Sequence, residues 1–237
     1  MTMLELEGVA RRFQGGAGVT GLDLRLAPGE IVALVGLNGA GKTTLLRLAL
    51  GMLRPDHGAV KIDGVPIGRL AADAWRQVGH LIEVPFSYRE LTVRQNLEMS
   101  ANLRGAPLSI VDRALPAWRL DALADRRAGR LSLGNRQRVG LAAALQHAPR
   151  LVLLDEPANA LDPAGVLILR DALVARAAAG AAVLVSSHHL DEVARIADRV
   201  IVMNRGRLIG ELDATGHDLE RTFFDRIHAD DLEESSA

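Results

Sequence analysis

A glycine-rich loop follows an apolar stretch near the start of the chain. Residues 31–35 are continuously apolar, as a buried strand is, and GLNGAGKT at residues 36–43 then matches the pattern G-x-x-x-x-G-K-[ST]. Glycines let several backbone N–H groups point into one concavity, at the N-terminus of a helix whose dipole favours an anion. The order of strand, loop and helix therefore predicts a chain that binds a nucleoside triphosphate.

The residues of this phosphate loop have predicted tasks. Lys42 can reach the β- and γ-phosphates, and the Thr43 hydroxyl can ligate Mg²⁺. The other predicted phosphate-binding residues are Gly36, Asn38, Gly39, Ala40, Gly41 and Thr44. The alternative is a glycine-rich turn that happens to precede a helix, and the order of strand, loop and helix disfavours it.

Composition narrows the class of protein. The chain has 237 residues, is 49% hydrophobic and carries a formal net charge of −1, which allows one sizeable core and disfavours a general nucleic-acid surface. The absence of cysteine excludes disulfides and thiolate metal sites. Because the chain starts without the layout of a signal peptide and has no apolar run of membrane-spanning length, we expect a cytosolic setting.

Hydrophobic patterning predicts an α/β fold. Continuous apolar runs predict buried parallel strands at residues 31–35, 151–154, 182–185 and 200–203. Helical segments at 43–53 and 163–179 separate several of these runs. Period-two alternation at residues 4–6 and 22–26 predicts an antiparallel β edge subdomain. The expected architecture is a P-loop NTPase core with a mainly parallel sheet, this β subdomain and a helical insertion.

The helical insertion is predicted where the strand pattern disappears, with helices at 94–103, 110–115 and 135–146. The expected division is a core of residues 1–84 and 150–212 that includes the β subdomain, a helical subdomain of residues 85–149, and a C-terminal tail of residues 213–237. This tail is acidic, and we expect it to be frayed.

Two carboxylates follow the apolar run at 151–154. An acid at such a strand tip lies beside the phosphate loop, so Asp155 is predicted to hold Mg²⁺ directly or through water. Glu156 can orient or deprotonate the water that attacks the γ-phosphate. The alternative is a strand-end turn with two solvated acids.

Further segments then occur in a recognisable order: Phe13 in a turn after the first strand, Leu131-Ser132-Leu133-Gly134-Asn135, Ala160-Leu161-Asp162, and Ser186-Ser187-His188. With these segments the chain resembles, from about residue 4 to residue 210, the nucleotide-binding subunit of an ATP-binding cassette (ABC) transporter. The resemblance implies an ATPase that uses ATP and Mg²⁺, at the cytoplasmic face of the cell membrane.

The resemblance also implies roles for individual residues. Ser132 and Gly134, in the signature segment (residues 131–135), would face the phosphate of a partner subunit in a head-to-tail homodimer, although Ser132 alone could be an ordinary helix cap. His188, rather than His189, would hydrogen-bond the γ-phosphate. Phe13 would stack on adenine, the alternative being an aromatic of the small-domain core.

Two departures from the family narrow the resemblance. Glu83 stands where the family has a glutamine that reaches Mg²⁺ and the attacking water, so it adds a negative charge there. Leu133 and Asn135 replace the usual glycine and glutamine of the signature segment. These features resemble cassettes of bacitracin resistance and lantibiotic immunity, which export amphiphilic peptides. The second choice is a multidrug exporter of the same two-component type.

The leading hypothesis is therefore an ATPase that powers a separately encoded membrane subunit, with residues 84–104, including Phe86, Tyr88 and Leu91, as the docking surface. An ordinary loop and helix start is the alternative for that stretch. Soluble cassettes of DNA repair or ribosomes, nucleotide kinases and GTPases are the other classes. The soluble cassettes are disfavoured because the chain has a single phosphate loop and no long coiled coil. The kinases and GTPases are disfavoured because the signature segment is present and the guanine-specific motif N-K-x-D is absent.

A basic cluster surrounds the signature segment. It lacks interleaved aromatic residues, so a solvated face near the partner's phosphates is favoured over a nucleic-acid surface, and no nucleic-acid partner is expected. The cluster consists of Arg126, Arg127, Arg130, Arg136 and Arg138.

Overall fold

The computed structural model describes residues 2–83, 87–188, 190, 194–213 and 218–235. The strands are β1 (Leu4–Arg12), β2 (Gly18–Leu26), β3 (Ile31–Val35), β4 (His57–Ile62), β5 (Val65–Pro66), β6 (Val78–Leu81), β7 (Leu151–Asp155), β8 (Ala182–Ser187), β9 (Arg199–Asn204) and β10 (Arg207–Leu212). The helices are α1 (Lys42–Ala49), α2 (Ala72–Trp75), α3 (Val93–Leu103), α4 (Ser109–Ala117), α5 (Leu133–Leu145), α6 (Pro163–Ala178) and α7 (Leu219–Ser235).

The larger sheet has the strand order β10-β9-β3-β8-β7-β6, and only β10 runs antiparallel to its neighbour. In β3, Ile31 and Val35 pack into the core on one face of the sheet, whereas Val32 and Leu34 pack into the core on the other face. Burial on both faces explains why this strand is continuously apolar. The predicted α/β fold with a mainly parallel sheet is confirmed.

A second, antiparallel sheet has the order β2-β1-β4-β5. Leu4 of β1 and Leu22 of β2 share a core with Leu45 of α1 and with Leu34 of the larger sheet. The expected antiparallel subdomain is therefore confirmed as a separate sheet packed over α1. Sequence patterning did not identify β4, β6 or β10, because these short strands are interrupted by glycine and polar residues.

The insertion between β6 and β7 is helical, as predicted, and consists of α3, α4 and α5. Leu97, Val111 and Leu141 of these helices belong to the same core as one face of the larger sheet. The expected helices were correct to within about two residues at each end. The expected boundary at residues 84 and 85 includes positions outside the described residues, so the domain limits stay predictions.

The end of the chain differs from the expectation of a frayed tail. Helix α7 occupies most of it and buries Phe223 and Ile227, four residues apart on one helix face, in the core. Its carboxylates at Asp230 and Asp231 each accept a hydrogen bond of 2.9 Å from the Asn204 amide at the end of β9. The acidic residues therefore belong to the polar face of a packed helix.

Within the described ranges, no helix combines the length and the apolar composition that crossing a bilayer requires.

Candidate active site

The phosphate loop turns sharply between β3 and α1, and β9 supports it from behind. A Cβ atom at Gly36 would lie 2.3 Å from the carbonyl oxygen of Met203, so a larger residue cannot stand there. The N–H of Gly206 donates to the carbonyl oxygen of Ala40 at 2.8 Å. At Gly39 (φ 84°), by contrast, no described heavy atom lies within 4 Å of the place of a Cβ. The loop is thus held at its back and open at its tip.

Lys42 begins α1 and folds back into this loop. Gly41, at φ 107°, lets the chain enter the helix in a left-handed conformation. The Lys42 ammonium group donates to the carbonyl oxygen of Gly36 at 2.7 Å and lies 3.3 Å from Glu156 Oε1. Since Lys42 is only 6% exposed, its ammonium group is buried against the phosphate loop.

Thr43 and Asp155 meet at the end of β7. The Thr43 hydroxyl donates to Asp155 Oδ2 at 2.7 Å. The β7–β8 register places Asp155 opposite Ser186, whose hydroxyl donates to Asp155 Oδ1 at 2.5 Å. Asp155 is 3% exposed, so these two hydrogen bonds replace the water that burial removes from its carboxyl oxygens.

These donors fit a magnesium ion. A hydroxyl and a carboxylate are hard oxygen ligands, and Mg²⁺ commonly uses one or two protein carboxylates together with phosphate oxygens and water. No group of three or more histidine, cysteine or acidic side chains in the described part of the chain is arranged to hold a metal. Thr43 and Asp155 therefore suit an ion that arrives with the nucleotide better than a complete protein cage.

Glu156 lies between two cationic or potentially cationic groups. Its Oε2 is 2.7 Å from Nδ1 of His188, which follows β8, and its Oε1 faces Lys42. The backbone at Glu156 is left-handed (φ 46°), and its N–H donates to the Ser186 hydroxyl at 3.0 Å. The structure thus brings together predicted site residues from three separate segments, at the ends of β3, β7 and β8.

The signature segment lies at the start of α5. Ser132 is exposed and caps the helix, its hydroxyl accepting a hydrogen bond from Asn135 N at 3.3 Å. The ordinary capping role is therefore present whatever else Ser132 binds. A Cβ at Gly134 would lie 2.5 Å from the carbonyl oxygen of Ala160, so this glycine is also needed for close packing.

Two side chains of α5 fasten this helix to the loop after Glu156. The buried Gln137 amide donates to the carbonyl oxygen of Pro157 at 2.9 Å. The Arg138 guanidinium forms an ion pair with Asp162, the N-cap of α6, and its hydrogen bond lowers the pKa of that carboxyl, as does the bond from Gly165 N. The signature helix and the loop bearing Glu156 are consequently joined within one chain.

Phe13 lies in the turn after β1 and is 37% exposed. It is not a core aromatic, so that alternative does not hold. The Arg11 guanidinium lies 5.5 Å from the centre of its ring.

Glu83 forms an ion pair with a residue of α1. Its Oε1 is 2.5 Å from Nη2 of Arg47, on the last turn of α1, and its side chain is 52% exposed. Its backbone is left-handed, with φ 62°. Glu83 is therefore paired with Arg47 in this structure, and its grouping with the other two metal-binding candidates stays a prediction.

Two buried histidines lie where the helical insertion meets the larger sheet. Burial lowers the pKa of His80 in β6 to about 4, and the nearby Arg104 charge adds to this effect. Burial and Arg104 also lower the pKa of His147, after α5, to about 4. Arg104 donates to the carbonyl oxygens of Trp75 and Val78 at 2.7 and 2.6 Å.

Sequence reasoning assigned no site role to Ser186, Gln137 or Arg47. A polar residue inside a buried strand was the available signal for Ser186, whereas the contacts of Gln137 and Arg47 depend on residues far away in the sequence. Phe86 and His189 lie outside the described residues. Of the basic cluster, Arg126, Arg127 and Arg130 are exposed, as a solvated face requires. Arg136 donates to the carbonyl oxygen of Leu131.

Comparison with known proteins agrees with this geometry. The family model described as "ABC transporter" matches residues 19–159. The bacitracin transport ATP-binding protein BcrA of Bacillus licheniformis is 33% identical over 89% of this chain and 70% of its own length. The Nod factor export ATP-binding protein I of Rhizobium sp. (strain N33) is 34% identical over 88% of this chain and 70% of its own length. The resemblance to bacitracin cassettes is thereby confirmed.

A solved structure shows the same fold. The ATP-binding cassette MJ0796, described as a dimer in a post-hydrolysis state bound to ADP and Pi, superposes with a TM-score of 0.81 at 24% identity. The match covers 90% of this chain and 100% of that one. Because the family model and the named relatives agree along most of the sequence, the chain belongs to the ABC transporter family.

Proposed function

We propose that this ABC ATPase powers the export of an amphiphilic molecule, of the antimicrobial-peptide class, through a separate membrane subunit. The observation that carries the ATPase part is the position of the Glu156 carboxylate, between Lys42 and His188 and next in sequence to Asp155. A base beside a phosphate loop is what hydrolysis of a terminal phosphate requires.

In this proposal each residue of the site has its own role in hydrolysis. Lys42 and the N–H groups of the loop bind the phosphates. Thr43 and Asp155 would hold Mg²⁺, which would supply positive charge to the phosphate oxygens. As Lys42 turns from Glu156 to the phosphates, the Glu156 carboxylate becomes available to orient the attacking water and accept its proton. His188, whose Nδ1 lies 2.7 Å from that carboxylate, keeps it aimed and bonds the γ-phosphate.

A second copy of the chain completes the site. The exposed Ser132 and the N–H groups at the start of α5 form an anion-binding helix end, and Gly134 lets this end pack closely on its own chain. We infer a head-to-tail dimer in which this helix end faces the nucleotide of the other copy. The dimer of the MJ0796 cassette, which has the same fold, supports this arrangement.

Replacing Glu156 by glutamine tests the shared site. Hydrolysis should fall about 100- to 1,000-fold, as expected on removing a general base, while ATP binding persists. With ATP and Mg²⁺, light scattering should then report a dimer that is absent with ADP. Glu220→Gln, at an exposed position of α7, is the matched control and should hydrolyse ATP normally. A variant that stays monomeric with saturating ATP would contradict the shared site.

The helical insertion offers the docking surface for the membrane subunit. A groove of about 170 Å³ lies between α3 and α5, and Tyr88, Met99 and Leu103 are among its lining residues. Leu103 is 74% exposed, which is unusual for a large apolar side chain. This surface overlaps the predicted docking segment and would place the chain at the cytoplasmic face of the membrane.

The natural absence of cysteine allows a direct test of docking. Leu103→Cys, carrying a photoreactive crosslinker, should form an adduct with one integral membrane protein in native membranes. Leu232→Cys, 56% exposed on α7, is the control and should not. Equal crosslinking from both positions would contradict the docking surface.

Two observations favour the peptide class of substrate, namely Glu83 and the similarity to the bacitracin transport protein. Cells that express the transporter should survive higher concentrations of bacitracin-type peptides than cells with the Glu156→Gln form. Equal sensitivity to such peptides, with a difference for unrelated drugs, would favour the multidrug alternative.

A further inference from the structure

Arg47 binds the glutamate that stands at the junction of the sheet and the helical insertion. Arg47 follows Thr43 by four residues on α1, so the two side chains lie on the same helix face, one turn apart. The 2.5 Å contact between Arg47 Nη2 and Glu83 Oε1 therefore ties the Glu83 carboxylate to the helix that carries Thr43, the partner of Asp155.

The backbone of Glu83 is strained in the conformation that makes this contact. A residue with a Cβ at φ 62° occupies a sparsely populated backbone region, which persists only where the surroundings hold it. The ion pair with Arg47 is a contact that can do so. Glu83 is 52% exposed and Arg47 37% exposed, so the pair is accessible to water and can open readily.

The carboxylates already present at the phosphate site explain why the pairing of Glu83 matters. Asp155 and Glu156 already bring two carboxylates to the phosphate site, close to Thr43 and Lys42. A third carboxylate there would repel them, and it would compete with the nucleotide's phosphates for the same cations. Pairing with Arg47 neutralises Glu83 and keeps it out of the site.

We propose that Arg47 is a positioning residue, which retains the Glu83 carboxylate on the last turn of α1 until the nucleotide and Mg²⁺ draw it to the phosphate site. While closed, the pair also restrains the helical insertion relative to the sheet, because Glu83 precedes that insertion and Arg47 belongs to α1. The proposal deepens the proposed function and rests on it for what Glu83 does after release.

Spin labels on the cysteine-free chain measure the restraint without any nucleotide. Val174→Cys on α6 and Leu108→Cys beside α4 are exposed positions on the two sides of the junction. The distance distribution should be narrow in the otherwise unchanged chain. Arg47→Gln and Glu83→Gln should each raise the population at other distances about two- to fivefold, as loss of an exposed ion pair does, and the double variant no further.

Arg54→Gln is the matched control, since it removes a positive charge just beyond α1 from an exposed residue for which no ion pair is described. Its distance distribution should equal that of the parent chain. An unchanged distribution in Arg47→Gln, or effects of Arg47 and Glu83 that simply add, would overturn the proposal.

The second measurement concerns magnesium. The Mg²⁺ concentration that half-saturates nucleotide binding should fall about two- to fivefold in Arg47→Gln, because Glu83 is released, and this gain should disappear in the double variant. A gain that survives Glu83→Gln would overturn the proposal. The label result is obtained without ATP, so failure of the restraint and failure of the ATPase assignment are distinguishable.

Discussion

The phosphate loop and the signature segment both end at the start of a helix, yet the chain builds them differently. Around the loop, Lys42 and Asp155 are 6% and 3% exposed; Lys42 pairs with Glu156, just after β7, and Asp155 accepts a hydrogen bond from Ser186 of β8. At the signature segment, Ser132 is exposed and Leu133 is 53% exposed. Folding one chain thus buries and pairs the charged groups of the first region, whereas it leaves the second region exposed to solvent.

The two regions are nevertheless connected. Gln137 and Arg138 of the signature helix bind Pro157 and Asp162, in the loop that continues from Glu156. A displacement at Glu156 would therefore reach the signature helix through side chains rather than through a flexible linker. The phosphate loop and the signature segment therefore differ in exposure to solvent, and a few polar contacts connect them.

The largest expected effect breaks the buried region. Lys42→Ala should weaken ATP binding at least about a hundredfold, because a buried ammonium–phosphate contact is worth roughly 3 kcal/mol. Isothermal titration with ATP measures the change. Lys61→Ala removes the chain's other lysine, which pairs with Glu7 on the antiparallel sheet, and should bind ATP normally. Retained affinity in Lys42→Ala would remove the phosphate-loop assignment.

A smaller effect concerns His80 and His147, which lie where the helical insertion meets the larger sheet. Because the pKa values of His80 and His147 are lowered from 6.5 to about 4, the unfolded chain takes up protons more readily than the folded chain between these values. The free energy of unfolding should therefore decrease as the pH falls from 7 to 5, by roughly 2 kcal/mol after allowance for partial exposure. Denaturant unfolding at both pH values measures this.

Replacing both junction histidines by glutamine should flatten that pH dependence. The exposed His57 on β4 provides the control, and His57→Gln should leave the dependence unchanged. An equally steep dependence in the double variant would place the responsible protons elsewhere.

The smallest effect sharpens the role of the exposed region. Ser132→Ala should lower the free energy of unfolding by about 1 kcal/mol, because a helix cap is lost. Thr92→Ala removes the cap of α3, where the Thr92 hydroxyl accepts from Gln95 N, and should cost a similar amount. In the Glu156→Gln background only Ser132→Ala should also weaken the ATP-dependent dimer. Equal dimerisation in both would reduce Ser132 to a cap.

Local signals explain which parts of the fold could be predicted. Ile31–Val35 is readable because both of its faces are buried, and the phosphate loop because its glycines and Lys42 lie next to one another. Strand β4 and helix α7 were not predicted. Glycine and polar residues interrupt the apolar pattern of β4, and the acidic residues of α7 concealed the spacing of Phe223 and Ile227.

The candidate site also has parts that local sequence predicts and parts that it does not. The sequence by itself determined the residue types that meet the phosphates, since a loop, its lysine and a strand-end pair of acids are adjacent or follow a regular pattern. Only the tertiary structure decided that Glu83 turns to Arg47 and that Gln137 holds Pro157. These contacts join residues far apart in the chain, and their geometry depends on how helices pack on a sheet, which no local pattern encodes.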